Sequence, residues 1–483
     1  MVMQNKKDAN FSEWYTELIK EAELADIRYN VKGFVVFQPW SVMSMMRMYR
    51  MYEAELEKTG HLPAWFPALI PEGNFTKEGE HVKGFAPDVF WVTEAGGNPL
   101  EEKLAMRPTS ETSMYQMYSL WVQGKKDLPI KIYHSSQVWR HETKATRPFI
   151  RSREFYWIEA HDAFETYEES VAQVKQDMEM AQHVIHGQFG VPFVFFCRPQ
   201  WDKFPGALNT YAADCMMPDG RVLQLPSTHL LGQNFAKAFD VKYQDESGKH
   251  EYCWQTCYGP AISRIYAALI STHGDDRGLV LPFELAPVQV VVVPIPKKGE
   301  KNENLEKKAD EIGAILKDAG LRVVVDKSDN TPGFKYNHWE LKGACVRVEV
   351  GLRELQSNEF VVANRVSGEK AHVKAGELAG EIGRIGSGMI SVLKKKADEK
   401  FAATLASAKQ MSELEKELKA GKLVKVAFCT MEIEGKGCAD EIKGKTAGDV
   451  RGTRYDAEEK PQGEKCIVCG KDAAEYVYVA RQY

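Results

Sequence analysis

Between residues 107 and 161 the chain lays charged and aromatic side chains along what reads as one hairpin, and few folds accommodate that pattern. Val138-Trp139-Arg140-His141-Glu142 and Arg151-Ser152-Arg153-Glu154-Phe155-Tyr156-Trp157 are predicted to be antiparallel strands joined by a loop from Thr143 to Phe149. Arg140 and Glu142 are two residues apart, so on a strand they face the same side. A sheltered face carries a cation beside an anion only where polar partners satisfy both. Phe155 and Trp157 repeat the spacing on the return strand. The hairpin thus sets an aromatic plane beside a charged pair, a place for a flat base with its phosphates against Arg140 and Arg151. A surface hairpin with ordinary salt bridges fits the same residues, so the rest of the chain has to decide.

At 483 residues the chain is long enough for roughly three domains. No apolar run reaches the roughly 18 residues of a membrane span, and Met1 to Asn10 is polar, without a signal-peptide core. A soluble, cytoplasmic protein with no membrane partner is expected. The formal net charge is −5, so a nucleic-acid partner would have to be met by local patches. Nine cysteines without a secretion signal argue against a disulfide framework. Cys429, Cys438, Cys466 and Cys469 lie close to one end, and Cys466-Ile467-Val468-Cys469-Gly470 has the spacing of a zinc knuckle. The expectation is a structural four-cysteine Zn2+ site, closed to catalysis. Four reduced thiols or a redox pair are the rival reading, favoured by the wide gap from Cys429 to Cys438.

Along the chain, residues 11 to 28 read as a helix. Pro39 precedes a second helix, Trp40 to about Lys58, whose Val42, Met45, Tyr49, Tyr52 and Leu56 form one stripe ended by Gly60. A strand carrying Pro63 and Pro67 follows from Leu62 to Ile70, and prolines at that density fit a sheet edge. Helix and edge together read as a dimer face, or as a helix packed on its own core. Residues 191 to 232 alternate strands and turns, with Asp219-Gly220 as a hairpin turn before a strand from Arg221 to Leu225. Residues 259 to 273 are predicted as a helix opened by Gly259-Pro260, with Arg264 in its second turn. From Leu285-Ala286-Pro287 the pattern becomes α/β: buried strand Val288 to Val293, helix Leu305 to Ala319, strands Leu321 to Asp326, Val346 to Gly351 and Glu359 to Arg365. No GxGxxG follows the first of these strands. The charged run Leu393 to Lys422 reads as a connecting helix.

In this order the pieces resemble the class II aminoacyl-tRNA synthetases, and most closely the prolyl-tRNA synthetases of archaeal and eukaryotic type, over essentially the whole chain. The helix from Trp40 with the strand through Pro67 resembles motif 1, the dimer element. Arg140-His141-Glu142 with the strand to Trp157 resembles motif 2, and Arg264 stands for the motif 3 arginine. Arg107-Pro108-Thr109-Ser110-Glu111 resembles the proline-specific TxE loop, and His273-Gly274-Asp275 with Gly278-Leu279-Val280-Leu281-Pro282 resembles the end of the catalytic domain. The fold implied is a class II antiparallel sheet flanked by helices (1–285), an α/β anticodon-binding domain (286–385), a linker helix (386–408) and a small zinc-binding domain (409–483).

The function implied is ATP-dependent activation of L-proline to prolyl-adenylate, then transfer to the 3′ end of tRNA(Pro), by a homodimer using Mg2+. Thr109 and Glu111 would hold the imino group of proline. Arg140 would bridge its carboxylate and the α-phosphate of ATP. Trp157, Glu159, His161 and His229 would line the proline pocket. Glu142 would accept from the adenine amino group, Phe155 would stack on the ring, and Arg151 with Ser152 would reach the terminal phosphates. Gln224 would lie near the nucleotide and Mg2+, and Arg264 would contact ATP from the other side. Glu340, Arg347 and Arg353 are candidates for reading anticodon guanines, or else surface charges. Tyr483 resembles the type's terminal tyrosine, whose carboxylate folds back towards the site. The chain departs from the family at Ile158-Glu159-Ala160-His161, where QEGH is usual, and at Ile262, where Thr is usual; the stretch before Arg264 is also one residue longer. Only 124 positions separate Arg140 from Arg264, too few for a large editing insertion, so misactivated alanine or cysteine would not be edited in cis. Two other readings remain: a paralogue that only binds, which would have lost motif residues, and a synthetase for threonine or serine. Threonyl enzymes carry a catalytic zinc in the core, whereas the cysteine cluster here lies elsewhere.

Overall fold

The computed structural model describes residues 3–77, 79, 84, 88–296 and 302–483. One large mixed sheet organises it. From one edge the order is Leu405–Ser407, Leu423–Phe428, Glu475–Gln482, Asp449–Arg454, Val194–Cys197, Asn209–Met216, Arg221–Gly232, Trp254–Pro260, Glu154–Phe164, Ile130–Trp139 and Leu62–Pro63. Pairing is antiparallel from Asp449–Arg454 through Ile130–Trp139, and Leu62–Pro63 closes the far edge in parallel. Helices Pro39–Lys58, Tyr167–Ala181 and Ile262–His273 cover one face, joining Met48, Tyr52, Val174, Ile265 and Leu269 in the main core. Helices Glu111–Trp121 and Asn234–Phe239 cover part of the other face through Tyr115, Tyr118 and Phe235, and the remainder of that face carries the site.

The predicted hairpin pairs Val138 with Phe155 and Trp139 with Glu154. Its first strand stops at Trp139, so Arg140 and Glu142 stand just beyond the strand rather than on it; one further bond, from Arg140 N–H to the Arg153 carbonyl at 2.9 Å, carries the pairing past the strand end. The first helix is shorter than its periodicity suggests, Phe11–Glu21, because Glu23 takes a left-handed backbone (φ 54°) and Ala25–Asp26 then pairs with Val36–Phe37. The helix opened by Pro39 runs as expected, with Pro39 in its first turn and Gly60 (φ 87°) just past its end. The predicted strand 62–70 is two short pieces, Leu62–Pro63 and Leu69–Pro71, which join different sheets. Pro67, without an N–H, lies in the break. The strand after Asp219-Gly220 extends to Gly232 rather than ending at Leu225. Gly259 and Pro260 end the strand Trp254–Pro260 instead of opening the helix, and Arg264 therefore sits in the first turn of Ile262–His273.

Residues 290–374 form the predicted α/β unit. Its strand order is Val323–Val325, Val290–Ile295, Val346–Gly351, Glu359–Asn364, Lys370–Lys374, the first three parallel and the last two antiparallel. The segment predicted as one helix from 393 to 422 is different. A helix runs Leu378–Ala402, strand Leu405–Ser407 interrupts, and a second helix spans Met411–Lys419. The longer helix buries Leu378, Ile382, Gly386, Met389, Leu393 and Ala397, a stripe hidden in the sequence by its glycines. At Gly386 a Cβ would come within 2.6 Å of Phe283, so only glycine allows the approach. No helix among the described residues is long and apolar enough to cross a membrane.

Candidate active site

Helix Glu111–Trp121 begins where the sheet face opens, and its first residue carries the carboxylate at the floor of a cleft of about 220 Å³. The loop before it is fastened from both sides. Arg107 donates to the carbonyls of Gln137 (2.9 Å) and Phe66 (2.7 Å), so this arginine is part of the scaffold. Glu159, from strand Glu154–Phe164, commits both oxygens to the same loop. It accepts from the Ser110 N–H at 2.9 Å, from the Ser110 hydroxyl and from His134 Nε2 at 3.1 Å. The Thr109 hydroxyl lies 2.5 Å from Glu111 Oε2 and 2.9 Å from Glu159 Oε1, and its one proton serves one of them at a time. Burial alone would push the Glu159 carboxyl up, but its contacts with His134 and His161 hold it well below the usual range. Cys257 donates its thiol proton to Glu111 Oε1 at 3.1 Å.

Across the cleft Arg140 donates from Nε to the Pro108 carbonyl at 3.0 Å and lies over the rings of Phe155 (5.1 Å) and Trp157 (5.4 Å). Arg264, anchored on the Ile150 carbonyl at 3.1 Å, faces it. Burial and the neighbouring Arg140 and Arg151 lower Arg264 to about 10, so it remains a cation at neutral pH. His229 is the opposite case. Burial and the proximity of His161 lower it to about 3, and the neutral ring lies 4.5 Å from Phe204, tilted by 32°, between the hydroxyls of Thr210 and Ser227.

Of the sequence-predicted site residues, Thr109, Glu111, Arg140, Phe155, Trp157, Glu159, His161, Gln224, His229 and Arg264 line this one cleft. Glu142, Arg151 and Ser152 stand outside its lining. Arg151 is 3.7 Å from Glu142 and donates to a Tyr483 oxygen at 2.6 Å, while Ser152 donates to the Glu154 carbonyl at 2.5 Å. Sequence reasoning missed a second group. Arg198 and Arg451 clamp the fully buried Asp214 from two sides, at 2.7–3.0 Å, and Arg451 also holds Gln482 at 2.5 Å. Arg198 further reaches Gln224 Oε1 at 3.4 Å. Arg198, Arg451 and Gln482 all line the cleft. The Arg451–Asp214 pair spans 237 positions of sequence, and no local spacing announces it.

Two other candidate groups are brought together. The sulfur atoms of Cys429, Cys438, Cys466 and Cys469 lie within 4.8 Å of one another, unbridged, with Cys429 and Cys438 3.8 Å apart. In the α/β unit Glu340 and Arg347 share the wall of a cavity of about 140 Å³ with Trp339 and Lys370. Arg347 is 3.3 Å from Glu340, 3.1 Å from Glu349 and stacked 3.7 Å over Tyr336. Arg353 is apart from them, exposed on helix Leu352–Ser357.

The tRNA synthetase class II core domain (G, H, P, S and T) matches residues 90–273, an anticodon binding domain matches 289–385, and the C-terminal domain of prolyl-tRNA synthetase matches 411–483. A proline–tRNA ligase of Thermofilum pendens is 51% identical over 479 residues, covering 99% of this chain and 98% of the relative. The chain belongs to the proline–tRNA ligase family. A Pyrococcus abyssi proline–tRNA ligase is 41% identical with full coverage of both chains. Among solved structures, prolyl-tRNA synthetase of Giardia lamblia in complex with prolyl-adenylate superposes with a TM-score of 0.95 at 36% identity, covering 100% of both chains. That of Cryptosporidium parvum complexed with L-proline and AMP superposes at 0.92 and 32% identity, covering 100% of this chain and 97% of the other. Proline–tRNA ligases are class II aminoacyl-tRNA synthetases, and this chain is one: an ATP-using enzyme with a class II core followed by an anticodon-binding domain.

Proposed function

We propose that the cleft activates L-proline as the resemblance implies. The observation that carries the reading is a single cleft lined by the Glu111 carboxylate and by Arg140, Arg198, Arg264 and Arg451. A zwitterion with a cationic imino group and an anionic carboxylate is the complementary ligand. Thr109 and Glu111 hold the imino group by charge-assisted hydrogen bonding. Trp157, His161 and His229 wall the ring, and Glu159 keeps the Thr109 loop in place. Arg140 aligns the proline carboxylate with the α-phosphorus of ATP; the carboxylate attacks in line and pyrophosphate leaves. Arg140 and Arg264 stabilise the charge that builds on phosphate oxygens, and positioning supplies most of the remainder. Glu142 and Phe155 take the adenine, and Arg151 and Ser152 the terminal phosphates. Gln224 is the residue that would stand near the nucleotide and its Mg2+, which would supply further charge neutralisation. The prolyl group then passes to the 3′ end of tRNA(Pro).

Several finer points belong to the same reading. Glu340 and Arg347 read anticodon guanines, with Arg353 contributing from the neighbouring helix. The four cysteines hold a structural Zn2+; four soft thiols at this spacing suit the ion and leave no open position. The protein acts as a cytoplasmic homodimer. The dimer is supported by an apolar groove along helix Pro39–Lys58, lined by Val31, Val36, Met45, Met46 and Tyr49, and by Leu62 and Trp65 exposed beyond the end of that helix. The domain divisions are drawn at 285/286, 385/386 and 408/409, with helix Leu378–Ala402 running through the second and strand Leu405–Ser407 pairing with Leu423–Phe428 across the third. Residues 165–253 are filled by helix Tyr167–Ala181 and the strands between Val194 and Tyr252, which favours the absence of cis-editing. A pocket sized for proline admits alanine or cysteine at some rate, since a lost methylene is worth only about 1–3 kcal/mol.

The test is amino-acid-dependent ATP–pyrophosphate exchange across the standard amino acids. Exchange is expected with proline, weakly with alanine and cysteine. Folded protein that exchanges with none would overturn the reading.

A further inference from the structure

Glu111, His161 and Cys257 come from three elements and bring one oxygen, one nitrogen and one sulfur to the cleft floor. Their candidate donor atoms all lie within 4.8 Å of one another, and Cys257 Sγ is 3.1 Å from Glu111 Oε1. All three residues are buried, at 1%, 1% and 6% exposure. Cys257 and His161 are direct partners across adjacent strands, so their side chains share a face. Tyr115 fixes the histidine. Its hydroxyl donates to the Thr256 carbonyl at 3.4 Å and lies 3.3 Å from His161 Nδ1, which assigns the Nδ1 proton to that contact. His161 Nε2 makes no hydrogen bond to a described residue, Glu159 Oε1 standing 3.6 Å away.

We propose that Glu111, His161 and Cys257 form a second metal site, for a zinc-class divalent cation, whose occupancy excludes proline. A thiolate and an imidazole select zinc over magnesium or calcium. Three protein ligands leave the fourth tetrahedral position open to the cleft, unlike the closed four-cysteine cluster. A tetrahedral zinc sets ligand atoms about 3.5 Å apart, so the widest separation closes by about an ångström. Binding displaces the Cys257 thiol proton, so a thiolate, a carboxylate and a neutral imidazole face the ion. Without metal the thiol satisfies Glu111 directly, while His161 Nε2 is left without a hydrogen bond.

Competition follows from Glu111. Its carboxylate cannot ligate a metal and accept from a cationic imino group together. This part rests on the role proposed above for Glu111; the metal site itself does not.

The experiment uses the full chain with its four-cysteine cluster zinc-loaded, titrated with Co2+ as the spectroscopic probe. Thiolate-to-cobalt absorption is expected in the near ultraviolet, lost in Cys257→Ser, and removed from the wild type by added L-proline. In ATP–pyrophosphate exchange, Zn2+ at about ten times its inhibition constant should raise KM for proline about ten-fold and leave KM for ATP unchanged. Absorption that does not depend on Cys257, or inhibition unchanged by that substitution, overturns the site. Should Cys257→Ser fail to fold, cobalt absorption in the wild type that proline does not displace overturns the exclusion. Exchange measured with Mg2+ alone tests the proline reading separately: no exchange beside a Cys257-dependent cobalt band would sink that reading and leave the metal site standing.

Discussion

Behind the cleft, on the opposite face of strand Glu154–Phe164, His61, Asp162 and Asp177 form a sealed acid cluster. His61 Nε2 is 3.3 Å from Asp162 Oδ1, and Asp177 accepts from Thr228 and Gln173 at 2.7 Å each. Burial and the neighbouring Asp162 raise the Asp177 carboxyl to about 7, while Asp162 raises His61 despite its burial. Both folded values lie above the unfolded ones, so both groups bind protons more tightly in the folded chain. The contribution of Asp177 is therefore full below its unfolded value of 3.8 and is lost as pH rises to about 7, and that of His61 is full below 6.5 and is lost above its raised value. The melting temperature of wild type minus that of Asp177→Asn is expected to fall by a few degrees between pH 5 and pH 8; a pH-independent difference would refute the cluster. Nothing in the sequence pointed to it, because Asp162 differs from His161 by one position and only the strand's alternation separates cleft from core.

At the level of elements, legibility followed locality. Phe155 and Trp157, two apart on a strand, were readable because strand alternation puts them on one side, whereas Thr109 and Glu111 entered only through the resemblance to the TxE loop, since positions two apart at a helix start share no face. Arg140 and Glu142 were readable as a pair but misplaced, since a strand's end depends on which carbonyl its next N–H finds. The helix Leu378–Ala402 was misread because glycines at 380, 383, 386 and 388 look like breakers until Phe283 is known to lie against one of them. Pairing between the sheet of the α/β unit and its helices also sets a prediction. Strand Val346–Gly351 carries Arg347 to the cavity shared with Glu340, far from the cleft in sequence and in element. Arg347→Ala should lower aminoacylation about ten-fold or more while sparing proline-dependent exchange. Equal loss in both assays would show that the residue is not an anticodon reader.

Across the whole molecule, the C-terminal unit is not an appendage. Strand Asp449–Arg454 pairs with Val194–Cys197 and strand Glu475–Gln482 with the start of Arg221–Gly232, so its strands continue the catalytic sheet. At the junction Gly220 and Gly421 meet so closely that a Cβ on Gly220 would lie 2.3 Å from the Gly421 Cα. Arg451 crosses this boundary to Asp214, and Arg198 passes the restraint to Gln224. Removing one partner of a buried ion pair costs about 3–5 kcal/mol. Arg451→Met should therefore depress proline-dependent exchange strongly with the helical circular dichroism retained, and Arg451→Lys should recover part of it. Full exchange in Arg451→Met would mean the clamp is idle.

The same interleaving has a consequence for how the polypeptide is made. Arg451 and Gln482 belong to a wall whose other members, Arg198, Asp214 and Gln224, are synthesised more than two hundred residues earlier. These are contacts of high order, formed late and slowly. On the ribosome a chain that has emerged only as far as residue 448 holds the motif residues and the anticodon unit but lacks part of its cleft. Catalytic competence would then wait for Gln482 to emerge rather than arrive domain by domain.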